Sequence, residues 1–347
     1  MDVNPGKKMR EAKVAVVGAG VVGFSTAVRI AEMLPRCSIT LLADKFSPDT
    51  TSDGAAGILI VEPFPDIPLE RQRCWFRDSF EHLLDIALSQ DAADAGVLLS
   101  SGYTIFTEPP VDKRPYWWDI VLGFRYLSDR ELRRFPGYTF GQAFTTIKCE
   151  CASYLPWLHK RFTQAGGKVE QKKLSSLDEL RTDYDVIVNC SGLGSEDLAG
   201  DADVYPVRGQ VVKVDAPWLQ HFIRADAGEW YVYPGSRYVT LGGTKQARDR
   251  RLDSDPGDAE AILEHCARLE PSLRQGKVLG HWVGLRPYRR NPRVEKMPPL
   301  ADGRHGALVV HNYGHGSYGI SLAWGTAVEA VELVRCCLEE MHPTAKL

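Results

Sequence analysis

The sequence has no long hydrophobic run; no window approaches the roughly 20 consecutive apolar residues that a membrane-spanning helix needs. It also has no excess of either charge. Its 42 basic side chains face 45 acidic ones, a formal charge of -3, and no basic tract is present to follow a phosphate backbone. Neither a membrane-spanning role nor a nucleic-acid partner is therefore expected. Paired cysteines are missing too. The 8 cysteines, at 37, 74, 149, 151, 190, 266, 336 and 337, show no CxxC spacing, which favours reduced thiols over a zinc ribbon or a disulfide frame. Cys149 and Cys151 flank Glu150, but alternate residues of a strand point to opposite faces, so packing is expected there and no metal. The first eleven residues, with Lys7, Lys8 and Arg10, lack the apolar core of a secretory leader and read as a solvated extension.

What is present suits a globular chain of two lobes, with 347 residues, 44% of them hydrophobic and 25% charged. β-branched runs at 13–17 and 38–42 enclose a helix-like stretch at 21–34, a βαβ unit. From 63 to about 138 the pattern changes. Aromatics and prolines cluster there (Trp75, Phe76, Pro109, Pro110, Tyr116, Trp117, Trp118) around a charged helical stretch at 80–90. A helix at 155–165 and a strand at 185–190 return to the first pattern. Alternating strands follow at 209–214, 230–233 and 238–241, with the turn signal Pro234-Gly235 between the last two, suggesting an antiparallel sheet. A strand at 307–311, a glycine turn at 312–319 and a long helix at 320–338 complete the chain.

The turn Gly18-Ala19-Gly20-Val21-Val22-Gly23 directly follows a strand and opens a helix, and Asp44 ends the next strand. The first glycine permits the tight turn, the second lets a pyrophosphate approach the backbone, and the third allows helix and strand to pack closely. Asp44 would accept a ribose hydroxyl. This much does not separate FAD from NAD. Two further segments favour FAD: Thr50-Thr51-Ser52-Asp53 with Gly54-Ala55-Ala56-Gly57, where hydroxyls and small residues can run against a flat ring, and Tyr313 to Gly319, a second glycine-rich helix start whose positive end could stabilise an anionic reduced flavin.

With these residues in view, the chain resembles the D-amino-acid oxidase family, and within it the branch that acts on D-aspartate. The likeness rests on VVGAGVVG at 16–23, ADKFSPDTTSDGAAG at 43–57, FGQAFTTIKCE at 140–150, DVIVNCSGLG at 185–194, PVRGQVVKVDAPW at 206–218, TLGGT at 240–244, VGLRPYR at 283–289 and NYGHGSYGI at 312–320. The resemblance implies an α/β FAD-binding Rossmann-like domain assembled from discontinuous segments (12–62, 150–205 and 285–347), with an α+β substrate domain built on an antiparallel sheet (63–149 and 206–284). By family position, Gly18, Gly20, Val21, Val22 and Gly23 form the cofactor turn. Asp44 and Lys45 meet the adenosine ribose, Leu174 and Ser191 border the adenosine, and Thr51 and Ser52 meet the diphosphate. Ala56, Gly57 and Ile58 meet the flavin, and Gly314, Gly316, Ser317, Tyr318, Gly319 and Ile320 its pyrimidine side.

The implied reaction is oxidative deamination of a D-amino acid by hydride transfer from Cα to flavin N5. The products are a 2-oxo acid, ammonia and, after reoxidation by oxygen, hydrogen peroxide. Arg286 matches the arginine that grips the substrate α-carboxylate, a task for which a planar guanidinium is suited, and Tyr231 matches a tyrosine bonded to the same group. Arg224 and Ser317 match residues typical of the acid-acting members, which implies D-aspartate as substrate, with D-glutamate and N-methyl-D-aspartate in the same class. Lys245 departs from the arginine usual there, keeping the charge but losing the fork. Glu62 departs as well, near the expected entrance, where a carboxylate either repels substrate or faces water. No side-chain base is obligatory in this scheme, and His315 is expected to stabilise its turn, with flavin contact as the alternative. The competing readings are an oxidase of neutral D-amino acids, an NAD-dependent dehydrogenase, and a non-catalytic nucleotide-binding protein. The tail Ala345-Lys346-Leu347 is one small residue away from the Ser-Lys-Leu address, so a peroxisomal import receptor and a peroxisomal location are expected.

Overall fold

The computed structural model describes residues 11–298 and 306–341. The tail at 345–347 lies outside the described residues. Among those residues the strands join one 14-stranded sheet that changes character along its length. At one end Leu308–His315, Val186–Asn189, Ala12–Val17, Cys37–Ala43 and Lys168–Gln171 lie parallel to one another in that order. Val14, Ala15 and Val16 are wholly buried, as expected for a parallel strand covered on both faces, and this is why the region reads as a near-continuous apolar run.

The other end is mostly antiparallel. Tyr205–Asp215, Val239–Gly242, Trp230–Pro234 and Phe222–Ala225 follow one another, and Phe222–Ala225 then pairs parallel to Val97–Phe106. Phe140–Cys149 and Leu122–Tyr126 finish that edge. The two ends are joined by Lys277–Lys296, which pairs along its first half with Tyr205–Asp215 and along its second with Leu308–His315. This strand has no clean apolar alternation and was not expected from the sequence. Its role is to place residues 283–288 at the seam between parallel and antiparallel sheet.

Helices cover the parallel end. Val21–Met33 and Gly319–Met341 pack together, and Leu69–Ala87 packs on the latter. That contact is tight because Gly325 carries no side chain: a Cβ there would lie 2.0 Å from the Trp75 carbonyl oxygen. Its N–H also donates to Ser79 Oγ at 2.9 Å. The expected helix at 80–90 is thus the second half of a longer amphipathic one, whose buried positions Gln72, Trp75, Phe76, Ser79, Phe80 and Leu83 keep the three-and-four spacing of a single face. At the C-terminal segment the strand runs on through His315, where a turn had been expected from residue 312. The turn is confined to Gly316–Tyr318. Among the described residues no helix is long and apolar enough to cross a membrane, and no group of three or more His, Cys, Asp or Glu could hold a metal ion.

Candidate active site

The glycine turn is shaped by contacts that leave no space for side chains. Gly18 has φ +111, and a Cβ there would sit 2.5 Å from the Cys190 carbonyl oxygen; a Cβ on Gly23 would sit 1.9 Å from the Gly18 oxygen. Strand, turn and helix can close on one another only with glycine at both places. The helix Val21–Met33 then starts with no side-chain cap from Gly20 and no acidic residue in its first turn, so its positive end is left for an anion.

Ser52 comes to the same place from the following loop, its Oγ accepting from Val21 N at 3.1 Å. That loop is braced by Asp53, which accepts from Ser47 Oγ and from the Thr50 N–H and hydroxyl. Ser191 lies beside Gly18, held by its hydroxyl bond to Asn189 Oδ1 at 2.7 Å. Asp44 and Lys45 are exposed just past the strand Cys37–Ala43, and Leu174 packs at the edge of the small core below it.

The second half of the cradle comes from Gly54 to Ile58. A Cβ on Gly54 would meet the Trp282 indole at 1.9 Å, so the loop lies flat against the long strand, and Thr51 Oγ1 donates to Leu285 O at 3.2 Å. Gly57 has φ +75 and lies against the Cys149 carbonyl, leaving no space for a larger residue. Beneath it Lys148 is buried, its ammonium donating to the Ala56 carbonyl and its pKa lowered by desolvation to about 8. From the other side Gly316–Tyr318 brings Ser317 Oγ to 2.9 Å from Tyr288 Oη. His315 is buried with its Nε2 3.1 Å from Thr326 Oγ1, and burial lowers its pKa to about 4. A neutral ring tied to the last helix holds the turn in place.

At the seam, Arg286 lies against bare backbone: a Cβ on Gly209 would be 2.1 Å from its Nη1. Its guanidinium donates to Thr244 O at 2.9 Å and lies close enough to Tyr231 to oppose the rise in pKa that burial gives that hydroxyl. Tyr231 stacks on Tyr233 at 4.3 Å, and Gly242 and Gly243 make space for its ring. Burial raises the pKa of Tyr233 in turn, and the nearby Arg224 opposes that shift. Lys245, exposed just before the short strand Gln246–Ala247, has its pKa lowered by partial desolvation and then by the cations Arg224 and Arg286. Three cations separated by 21 to 62 residues in sequence thus stand close enough to feel one another, Arg286 beside Tyr231 and Arg224 beside Tyr233.

Tyr318 reaches the same group, since its pKa is raised chiefly by burial and then by Glu62, while Arg224 opposes the shift. The sequence offered no sign of Tyr233 or Tyr288 as members of this group, because each reads as an ordinary strand aromatic. A groove of about 720 Å3 beside the helix Pro256–Leu269 shares no residue with it.

These features fit FAD on the chain's own terms, with a glycine-bared helix start, hydroxyls over it, a flat loop stripped of side chains and a second glycine turn opposite. The sequence pattern of the family described as DAO, FAD dependent oxidoreductase, matches residues 13–333. The chain belongs to this FAD-dependent oxidoreductase family. It is 53% identical to a Homo sapiens protein named D-aspartate oxidase, over 96% of this chain and 98% of that one. It is 37% identical to the D-amino-acid oxidase of Rubrobacter xylanophilus, over 94% and 97%. Among solved structures, glycine oxidase from Geobacillus kaustophilus superposes with a TM-score of 0.75 at 20% identity, covering 94% of this chain and 95% of that one, which shows the shared fold. As a member of this family the chain uses FAD as its cofactor.

Proposed function

We propose that the chain catalyses FAD-dependent oxidation of acidic D-amino acids, D-aspartate first, to the 2-oxo acid, ammonia and hydrogen peroxide. The observation that carries this reading is the gathering of Lys245 with Arg224 and Arg286, the two arginines standing beside the stacked pair Tyr231 and Tyr233, more positive charge than one α-carboxylate requires. Burying a second carboxylate without cations would be costly, and here they are already in place. The name of the Homo sapiens relative, D-aspartate oxidase, supports the same substrate.

In this reading Arg286 takes the α-carboxylate through two charge-assisted bonds and Tyr231 adds a third, so the amino acid is held by one end in one orientation. Lys245 faces its other end, and Arg224 adds positive charge behind it. The chemistry supplied by bound FAD is acceptance of the hydride from Cα and delivery of the electrons to oxygen. The side chains that line the site hold and orient the substrate; none is needed to take a proton from Cα, since the hydrogen leaves with its electron pair.

Arg224→Leu tests the assignment. Turnover of D-aspartate is expected to fall at least about 30-fold more than turnover of D-alanine, on the scale of losing one partner of a buried charge pair. Equal losses on the two substrates would return the site to an oxidase of neutral D-amino acids.

The location of the protein is a separate part of the proposal. Ala345-Lys346-Leu347 resembles a peroxisomal address, and a reaction that releases hydrogen peroxide suits that compartment. A fluorescent fusion with the native C-terminus is expected to enter peroxisomes and to stay in the cytosol when Leu347 is deleted. An unchanged distribution would make the tripeptide incidental.

A further inference from the structure

One carboxylate already stands among the three cations. Glu62 Oε1 lies 2.7 Å from Arg224 Nη2, and the two residues are 162 positions apart in sequence. The partners differ in freedom: the Arg224 side chain is 6% exposed, that of Glu62 43%. Arg224 is fixed by Tyr233 and by the backbone at Gly228, where a Cβ would lie 3.0 Å from its Nε. Glu62 is held by its chain, since Trp117 Nε1 donates to the carbonyl of the preceding residue, Val61, at 2.8 Å. Its carboxylate is the more exposed partner of the pair. The Tyr116 hydroxyl, buried with no hydrogen-bond partner among the described residues, lies close enough to feel the charges of Glu62 and Tyr318.

The charges now balance differently. Arg224 pairs with Glu62, while among the described residues neither Arg286 nor Lys245 has an ion pair of its own; Glu62 and then Glu229 act on Lys245, each more weakly than the two arginines do. Two cations remain for the two carboxylates of a dicarboxylic amino acid.

We propose that Glu62 is a built-in competitor for the substrate's distal carboxylate: it holds Arg224, so that Lys245 receives the acidic side chain, and an acid that uses Arg224 must first displace Glu62. This deepens the acidic-substrate reading and rests on it. It also explains how a flexible lysine serves here in place of a guanidinium fork, because the rigid cation of the site is already engaged.

The test uses the FAD-loaded enzyme and two ligands that cannot be oxidised: succinate, which is aspartate without its amino group, and propionate, which is alanine without its own. Binding is read from the perturbation of the bound flavin's absorption. Lys245→Met is expected to weaken succinate by about tenfold, and Glu62→Gln to tighten it by roughly five- to tenfold while moving propionate much less, the range of a partly exposed ion pair at a binding site. In the Glu62→Gln background, Lys245→Met should cost less than about threefold, because the freed Arg224 takes over. Glu62→Ala should reproduce the Glu62→Gln result.

Three outcomes overturn the proposal: tighter binding of both ligands to the same extent, weaker succinate binding in Glu62→Gln, or the same Lys245→Met loss in both backgrounds. Turnover of D-aspartate against D-alanine by the unmodified enzyme judges the substrate reading separately. If D-alanine is preferred, that reading falls, while the succinate cycle still decides whether Glu62 competes at Arg224.

Discussion

Replacing Arg286 with leucine is expected to lower kcat/KM for D-aspartate by about a thousandfold, roughly 4 kcal/mol, the cost of leaving a buried carboxylate without its charged partner. The side chain lies against Gly209 with one nitrogen committed to Thr244 O at 2.9 Å, so its remaining donors are aimed and its rotamer is already set. A preorganised guanidinium loses little entropy on binding, which is why removing it should cost more than removing a mobile surface charge. D-Alanine should suffer almost as much, because both substrates share the α-carboxylate. This common loss distinguishes Arg286 from Arg224, whose removal is expected to separate the two substrates. Arg286→Lys should recover only part of the rate, since one ammonium cannot reproduce a two-bond grip. A loss below about tenfold with both substrates would show that the α-carboxylate is bound elsewhere. Steady-state oxygen consumption measures all three variants.

Gly23→Val should yield protein that retains almost no flavin. The Cβ alone would sit 1.9 Å from the Gly18 oxygen and 3.5 Å from Cys190 Cβ, so the first turn of the helix must move off the strand and its N–H groups no longer point where a diphosphate could meet them. Gly20→Ala provides the contrast. Its Cβ would meet only the Ser52 hydroxyl, at 3.2 Å, a side chain that can turn aside. The fold should therefore survive, and any loss of FAD in that variant reports the approach of the cofactor. The measurements are flavin absorbance per protein and thermal unfolding of the cofactor-free form. Normal flavin content in Gly23→Val would refute the placement of the cofactor at this turn.

Much of this organisation could be read before any coordinates. The βαβ opening is legible because a strand buried on both faces must be apolar throughout, and because a turn as tight as the one at Gly18 admits only glycine. The family motifs carried the expectation of FAD and of Arg286, Tyr231, Arg224 and Ser317 as site residues. The long strand Lys277–Lys296 escaped notice for a physical reason: it is half-buried along most of its length and crosses from one type of sheet to another, so no single period marks it. The strand through His315 extends further than its sequence suggests because its glycines look like a turn, although Gly314 at φ +84 lies within the strand.

Local sequence determined the elements, the glycine turn and the residue types able to hold a flavin and a carboxylate, since propensity, burial pattern and steric exclusion act over a few residues. Only the tertiary structure decided which charges meet. In sequence Glu62 is a polar residue between a valine and a proline, and Arg224 a basic residue in a short strand. Their 2.7 Å contact exists because the seam of the sheet, the flat loop after Gly54 and the turn at Gly316–Tyr318 converge on one volume. Electrostatic pairing depends on distance and burial in three dimensions, and neither is encoded by spacing along the chain.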